Sequence, residues 1–261
     1  MDGKIKGLLC DLDGTVYENN RIIAGAAEAL QKYRSAGLSV RFVTNTTRMS
    51  RRLVHERLAQ FGINARVEEI FTAPVAAAAW LKSAGIRRVA LLLNSDTFED
   101  FQDFEIDVKE PEAVVVGDLG EAWSFKRLNQ AFRWLMGGAD LVAIQKNRFW
   151  KKEDGLSLDA GPFVAALEYA AGKKAIIVGK PQKLFFGAAV HSMGILPSHV
   201  AMIGDDIESD VGGAQAAGLM GILVRTGKFS PEELDQSPFK PDLIVDTIAD
   251  FKLLQNLTSM A

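Results

Sequence analysis

The chain has 261 residues, of which 48% are hydrophobic and 24% are charged, so it can bury a large core. Its formal net charge is -3, and it has no block of like charges such as basic nucleic-acid-binding arms carry, so we expect no nucleic-acid partner. The only cysteine, Cys10, excludes an intrachain disulfide and a zinc site built from cysteines. Because no apolar stretch is long enough for a signal peptide or a membrane span, we expect a cytoplasmic protein.

Short apolar runs alternate with stretches of helical periodicity along the chain. In chain order, strands are predicted at KGLLC, LSVRFVT, RRVALLLN, AVVVG, DLVAIQ, KAIIVG, HVAMIG, MGILVR and PDLIVD. Helices are predicted between them, for example at AGAAEALQKYRSAG and SRRLVHERLAQFG, and several end at a glycine. This alternation predicts an α/β fold, with a Rossmann-like, doubly wound parallel sheet and helices on both faces.

Polar residues follow four of the predicted strands, at the point where each strand ends. They are Asp11 and Asp13 after the first strand, Thr44 and Asn45 after LSVRFV, Lys180 after KAIIVG, and Asp205, Asp206 and Asp210 after HVAMIG. Ligands of parallel α/β sheets bind outside the carboxyl ends of the strands. If these strands are neighbours, the side chains form one pocket.

The chemistry of such a pocket favours phosphoryl transfer. Several carboxylates that converge in a partly buried site require a hard cation or bound protons, and Mg²⁺ is the cation that prefers oxygen ligands together with phosphate. Thr44, Asn45 and Lys180 supply hydrogen-bond donors and positive charge for phosphate oxygens. Asp11 is the candidate nucleophile toward phosphorus, and Asp13 is the candidate general acid and base.

Four motifs in this order resemble the haloacid dehalogenase superfamily of phosphatases. They are DLDGT at Asp11 to Thr15, a strand that ends at Thr44, Lys180 after a strand, and GDDIESD at Gly204 to Asp210. The resemblance implies a discontinuous catalytic core at 1–75 and 176–261. The insertion at 76–175 resembles the α/β (C2-type) cap of subclass IIA, which includes 4-nitrophenylphosphatase-like, pyridoxal phosphatase-like and phospholysine phosphohistidine pyrophosphatase-like enzymes.

The resemblance also implies a role for each motif residue. It implies a Mg²⁺-dependent hydrolase of small phosphorylated metabolites that acts through an aspartyl-phosphate on Asp11. The metal ligands would be Asp11, Asp205 and the backbone carbonyl of Asp13. Asp206 would lie near the metal-bound waters, and Asp210 would lie behind the ligands, without contacting the metal directly. Thr44, Asn45 and Lys180 would hold the phosphate. Relatives with this cap type often pair through it, so the resemblance also implies a homodimer through the cap.

Other functions stay open at this stage. A phosphotransferase or phosphomutase would share Asp11 and Asp13, a hydrolytic dehalogenase would lack the metal cluster, and a scaffold protein would bind partners through the cap with little turnover. The physiological substrate is not determined, because capped pockets accept many phosphorylated metabolites. Asn147 to Trp150 and the predicted loop DGLSLDAG are candidates for substrate contacts from the cap. Asp118 is expected to be structural or to line the cap.

Overall fold

The structure is a computed structural model that describes residues 5–106, 109–152 and 155–252. The chain forms two compact units. The first unit contains residues 1–44, 54–71 and 180–261, and the second contains 45–53 and 72–179. The division into a catalytic core and a cap at 75 and 176 stays a prediction.

The described residues alternate between strands and helices. The strands are β1 (Gly7–Asp11), β2 (Tyr17–Glu18), β3 (Arg21–Ile22), β4 (Ser39–Thr44), β5 (Ile70–Thr72), β6 (Arg88–Leu92), β7 (Glu105–Ile106), β8 (Ala113–Val116), β9 (Asp140–Ala143), β10 (Phe149–Lys152), β11 (Gly155–Leu158), β12 (Ile176–Ile177), β13 (Val200–Gly204), β14 (Met220–Val224) and β15 (Leu243–Val245). The α-helices are α1 (Ala26–Ser35), α2 (Arg51–Gln60), α3 (Ala73–Ser83), α4 (Phe125–Met136), α5 (Ala160–Ala171), α6 (Lys183–His191), α7 (Gly213–Ala216) and α8 (Pro231–Gln236).

A six-stranded sheet in the order β15-β14-β13-β1-β4-β5 forms the centre of the first unit. Strand β1 pairs in parallel with β13 on one side and with β4 on the other. All five residues of β1 are buried, as expected for a central parallel strand covered on both faces, which requires a continuous apolar run. The register aligns Cys10 with Ile203 and Asp11 with Val43, so β1, β13 and β4 end at nearly the same level.

The second unit has a five-stranded sheet of its own, in the order β12-β9-β8-β6-β7, and all of its pairs are parallel. Its core forms where residues of these strands pack against α4 and α5, and the rings of Trp123 and Phe163 stack at 4.3 Å. Side chains cap these helices: Ser124 accepts a hydrogen bond from Arg127 N at the start of α4, and Asp159 accepts one from Ala160 N at the start of α5.

The structure confirms the α/β fold with parallel sheets, and each of the nine predicted strands is found. One local expectation is wrong. The segment around DGLSLDAG was expected to be a loop, whereas β10 and β11 form an antiparallel hairpin with Phe149 opposite Leu158. In GLSL the leucines Leu156 and Leu158 alternate with Gly155 and Ser157, as is typical of a strand. Glu153 and Asp154 lie outside the described residues. In the part of the chain that is described, every helix is too short or too polar to cross a membrane.

Candidate active site

Strand ends of the first unit bring several predicted site residues to one edge of its sheet. Asp11 is the last residue of β1, Thr44 is the last residue of β4, and Asp205 follows β13 directly. All three side chains are buried. Because β13, β1 and β4 are adjacent and parallel, their carboxyl ends lie at one edge of the sheet, and we expect ligands of parallel sheets to bind there.

Lys180 forms the centre of a buried ion-pair network in this site. Its ammonium donates to Asp11 Oδ1 and to Asp210 Oδ1, at 2.6 Å in both cases. The exposed fraction of the side chain is 5% for Lys180, 8% for Asp11 and 0% for Asp210. Burial lowers the pKa of Lys180, but the carboxylates of Asp11 and Asp210 outweigh it and raise the pKa above its ordinary value. The lysine is therefore a permanent cation.

Asp210 reaches Lys180 from the helical turn that follows β13. A π-helical turn at Ile207–Gly212 returns the chain toward the strand end, and there Asp210 Oδ2 accepts a hydrogen bond from the backbone of Asp206 at 3.2 Å. Gly204 is required beside it, because a Cβ at this position would overlap the Asp210 carboxylate. The position behind the metal ligands that the family resemblance implies for Asp210 stays a prediction.

The carboxylates of Asp11, Asp205 and Asp210 form a compact acidic cluster. One oxygen from each lies within 4.8 Å of the other two. Burial raises the pKa of Asp205 above its ordinary value, and the nearby carboxylates of Asp11 and Asp210 raise it further. Burial and the Asp11 carboxylate likewise raise the pKa of Asp210. When all three are ionised, the single ammonium of Lys180 leaves two negative charges uncompensated within the cluster.

This cluster fits a divalent cation. Asp205 Oδ1 is buried and, among the described residues, has no hydrogen-bond partner, which is costly for a carboxylate oxygen unless a ligand occupies it. The donor set is composed of carboxylate oxygens, which suits Mg²⁺. The side chain of Asp210 joins Asp11 and Asp205 in this group, whereas Asp13 is not part of it. The ligand role of Asp13 was inferred for its backbone carbonyl and stays a prediction.

Asp13 is not a member of the buried group of three carboxylates. Its side chain is exposed, whereas its backbone is fixed by a bridge to Tyr17 and by the hydrogen bond from Gly14 N to Tyr17 O at 2.7 Å. A carboxyl group that contacts solvent can exchange protons with water, which suits the acid and base role inferred for it.

Asp206 caps the turn that carries Asp210. Its Oδ1 accepts hydrogen bonds from Glu208 N at 3.1 Å and Ser209 N at 2.9 Å, and its Oδ2 pairs with Lys228 Nζ at 3.1 Å. Although burial raises the pKa of Asp206, the Lys228 ammonium and the Ser209 N–H outweigh it and hold the pKa below its ordinary value. The observed role is structural, and its expected place near metal waters stays a prediction.

Asn45 follows Thr44 in the chain but belongs to the second unit. There its side-chain oxygen lies so close to Gly179 that a Cβ on this glycine would meet it at 2.8 Å. Phosphate binding by Thr44 and Asn45 therefore stays a prediction.

Asp118, which the sequence suggests is structural or cap-lining, is buried in the second unit and paired with an arginine. Arg48 donates to Asp118 Oδ2 through Nε at 2.7 Å and Nη2 at 2.6 Å, and Gly120 N donates to Asp118 Oδ1 at 2.7 Å. Further contacts attach segment 45–53 to the same unit, among them Arg51 N with Asp100 at 3.1 Å. The structural interpretation of Asp118 fits this pairing.

Sequence reasoning missed the segment 226–228, which follows β14. Lys228 N donates to Asp205 Oδ2 at 2.7 Å, and Thr226 Oγ1 donates to Gly14 O at 2.5 Å. The signal that could have found it is its position, because MGILVR is a strand of the same sheet and TGK follows its carboxyl end.

Comparisons with known proteins agree with the fold and the motifs. A family model described as haloacid dehalogenase-like hydrolase matches residues 8–107, and a second HAD hydrolase model matches residues 177–251. Human haloacid dehalogenase-like hydrolase domain-containing protein 2 is 44% identical over 238 residues, which are 90% of this chain and 91% of that protein. Human phospholysine phosphohistidine inorganic pyrophosphate phosphatase is 38% identical over 94% of this chain and 92% of its own length.

A solved structure is similar over nearly the whole chain. The p-nitrophenyl phosphatase from Archaeoglobus fulgidus superposes with a TM-score of 0.89 and 29% identity, and the match covers 95% of this chain and 98% of that one. The resemblance inferred from DLDGT, Thr44, Lys180 and GDDIESD is thus confirmed at the level of the family. The chain belongs to the haloacid dehalogenase-like hydrolase family.

Proposed function

We propose that the protein is a Mg²⁺-dependent phosphatase of small phosphorylated metabolites, in which Asp11 is the nucleophile. The observation that carries the proposal is the environment of Asp11. This carboxylate is buried at the end of the central strand and held by the Lys180 ammonium at 2.6 Å. A fixed carboxylate with a cation beside it is suited to attack an anionic phosphate, because the positive charge offsets the repulsion between the two groups.

The reaction would proceed in two steps. In the first, an Asp11 oxygen forms a bond to phosphorus, the bond from phosphorus to the leaving oxygen breaks, and Asp13 gives that oxygen a proton. In the second, Asp13 takes a proton from water, the water oxygen attacks phosphorus, and the bond to Asp11 breaks to release inorganic phosphate. Lys180 holds Asp11 in place and contributes positive charge in both steps.

The metal site of this proposal is formed by side chains of Asp11 and Asp205 together with the backbone carbonyl of Asp13. Bound Mg²⁺ supplies positive charge that neutralises the acidic cluster and the phosphate oxygens. Thr44 and Asn45 donate hydrogen bonds to the phosphate. The proposal also places the protein in the cytoplasm and assumes a homodimer formed through the inserted domain, and both stay predictions.

The test is an assay of 4-nitrophenyl phosphate hydrolysis with Mg²⁺ and with EDTA. We expect activity that requires Mg²⁺ and a loss of at least about a thousandfold in kcat for Asp11→Asn. The matched control is Asp246→Asn, which removes an exposed carboxylate of the same unit, 72% exposed, and should keep the wild-type rate. Borohydride reduction during turnover should convert Asp11 to homoserine, which peptide mass spectrometry detects.

Other outcomes identify the competing functions. Wild-type rates for Asp11→Asn would refute the proposed nucleophile, and activity that survives EDTA would favour the dehalogenase type of chemistry. Transfer of the phosphoryl group to a second metabolite, with no phosphate released, would show a phosphotransferase. Absence of turnover on every phosphorylated compound would favour the scaffold function. The substrate panel should include sugar phosphates, nucleotides, pyridoxal phosphate, phospholysine, phosphohistidine and pyrophosphate, since a relative is named for the last three.

A further inference from the structure

The segment 226–228 joins two acidic motifs of the first unit. Thr226 Oγ1 donates to the carbonyl of Gly14 in DLDGT at 2.5 Å. Lys228 N donates to Asp205 Oδ2 in GDDIESD at 2.7 Å. The segment contributes no acid of its own, yet it contacts both motifs. It therefore connects the two motifs through hydrogen bonds.

Two glycines enclose the Asp205 carboxylate. Gly14 and Gly227 both have positive φ, 84° and 61°. A Cβ on either glycine would lie closer than 3.0 Å to Asp205 Oδ2, a distance that Cβ atoms do not adopt. Each of these Cβ atoms would also overlap the Cα of the other glycine. The close approach of the two backbones around Asp205 thus requires glycine at both positions.

These contacts give the two oxygens of Asp205 different roles. Oδ2 is held by Lys228 N and enclosed by the glycines, whereas Oδ1 is buried and has no hydrogen-bond partner among the described residues. A carboxylate fixed through one oxygen presents the other in a single orientation. Groups that orient a ligand side chain in this way contribute strongly to metal affinity.

We propose that segment 226–228 is a positioning element that holds Asp205 in the orientation required to bind the divalent cation. The inference rests on the proposed function, because it assumes that a cation binds at Asp205. Gly227 permits the close approach, the Lys228 peptide N–H holds Oδ2, and Thr226 attaches the segment to Gly14. None of the three contacts the substrate in this proposal, so they act through Asp205.

The Lys228 side chain extends the same connection. Its ammonium pairs with Asp206 Oδ2 at 3.1 Å, and Asp206 caps the turn that carries Asp210. The Lys228 side chain is 66% exposed, so this outer pair contributes less than the backbone hydrogen bond to Asp205. The positioning function is therefore assigned to the backbone of Lys228.

The experiment measures Mg²⁺ binding to the full-length protein by titration calorimetry. It compares the wild type with Gly227→Ala and with the control Gly37→Ala. Gly37 also has positive φ, 89°, but a Cβ there would meet no atom within 4 Å. Both variants place alanine in a left-handed conformation, and only Gly227→Ala displaces the Asp205 carboxylate. We expect at least tenfold weaker Mg²⁺ binding for Gly227→Ala and less than a twofold change for Gly37→Ala.

The outcomes separate this inference from the proposed function. If the wild type binds Mg²⁺ and Gly227→Ala binds it as tightly as Gly37→Ala, the positioning element is refuted while the phosphatase proposal stands. If the wild type binds no Mg²⁺, the cation site and this inference both fall. Should Gly227→Ala not fold, Thr226→Val replaces it, because valine keeps the volume and removes the hydrogen bond to Gly14. At least threefold weaker Mg²⁺ binding by Thr226→Val would support the inference, and unchanged binding would refute it.

Discussion

Replacement of Lys180 by methionine should strongly destabilise the protein in the absence of divalent cations. The Lys180 ammonium is the common partner of Asp11 and Asp210, at 2.6 Å from each, and all three side chains are at most 8% exposed. Methionine keeps an unbranched side chain, shorter by one atom, and removes the charge. Asp11 and Asp210 would then remain buried without their cation and close to each other.

The magnitude follows from the burial of the partners that are left behind. Removal of one partner of a buried ion pair costs about 3–5 kcal/mol, since a charge remains without compensation in a medium of low polarity. Arg225 provides the matched control in the same unit. It pairs with Asp246 at a similar distance, 2.7 Å, but the two side chains are 53% and 72% exposed. Arg225→Met should therefore cost only about 0–1 kcal/mol.

The assay is urea unfolding of both variants in EDTA, followed by far-ultraviolet circular dichroism, with the free energy of unfolding obtained by linear extrapolation. The same measurement in Mg²⁺ should show a smaller loss for Lys180→Met, because bound cation compensates part of the acidic cluster. If Lys180→Met and Arg225→Met lose the same stability within about 1 kcal/mol, the argument that burial makes this network costly to break is wrong.

Two further predictions concern the second unit, whose unfolding is reported by tryptophan fluorescence because all four tryptophans lie in 72–179. Asp118→Asn should cost about 1–3 kcal/mol, since it removes the charge of a buried carboxylate to which both Arg48 and Gly120 N donate hydrogen bonds. Burial raises the pKa of Asp100 from 3.8 to about 6, so the folded state binds this proton more tightly than the unfolded state does. The free energy of unfolding of this unit should therefore fall by up to about 3 kcal/mol as the pH rises from 3.8 to about 6. Asp100→Asn should remove this loss. The control for both is Asp103→Asn, whose carboxylate is 62% exposed and which should change stability by less than about 1 kcal/mol. A cost for Asp118→Asn equal to that of the control, or an unchanged pH profile for Asp100→Asn, would contradict these assignments.

Much of the first unit could be predicted because its strands are apolar runs that end in polar residues. Parallel order places the carboxyl ends of adjacent strands at one edge, so Asp11, Thr44 and Asp205 could be grouped before any distance was known. The grouping required that these strands be neighbours, and the structure shows this order, with β1 between β13 and β4. The inference rested on the identities of the residues at the strand ends and on the rule that ligands bind outside the carboxyl ends of parallel strands.

Pairings that depend on side-chain direction could not be predicted. The contact between Lys180 and Asp210 arises because the π-helical turn at Ile207–Gly212 returns the carboxylate to the strand end, and a periodicity of 3.6 residues does not indicate such a turn. The pair of Arg48 and Asp118 joins positions 70 residues apart. Local patterns contain no information about contacts at that separation.

The acidic cluster links the stability of the first unit to its proposed chemistry. Asp11, Asp205 and Asp210 are buried within 4.8 Å of one another, and Lys180 neutralises only part of their charge. A core of apolar residues at these positions would be more stable, because it would avoid the cost of burying charge. The cluster is therefore a cost to folding that a bound cation or bound protons would offset. The segment 226–228 adds to this argument, since glycine is required at both Gly14 and Gly227 to enclose the Asp205 carboxylate, and a side chain at either position would displace it.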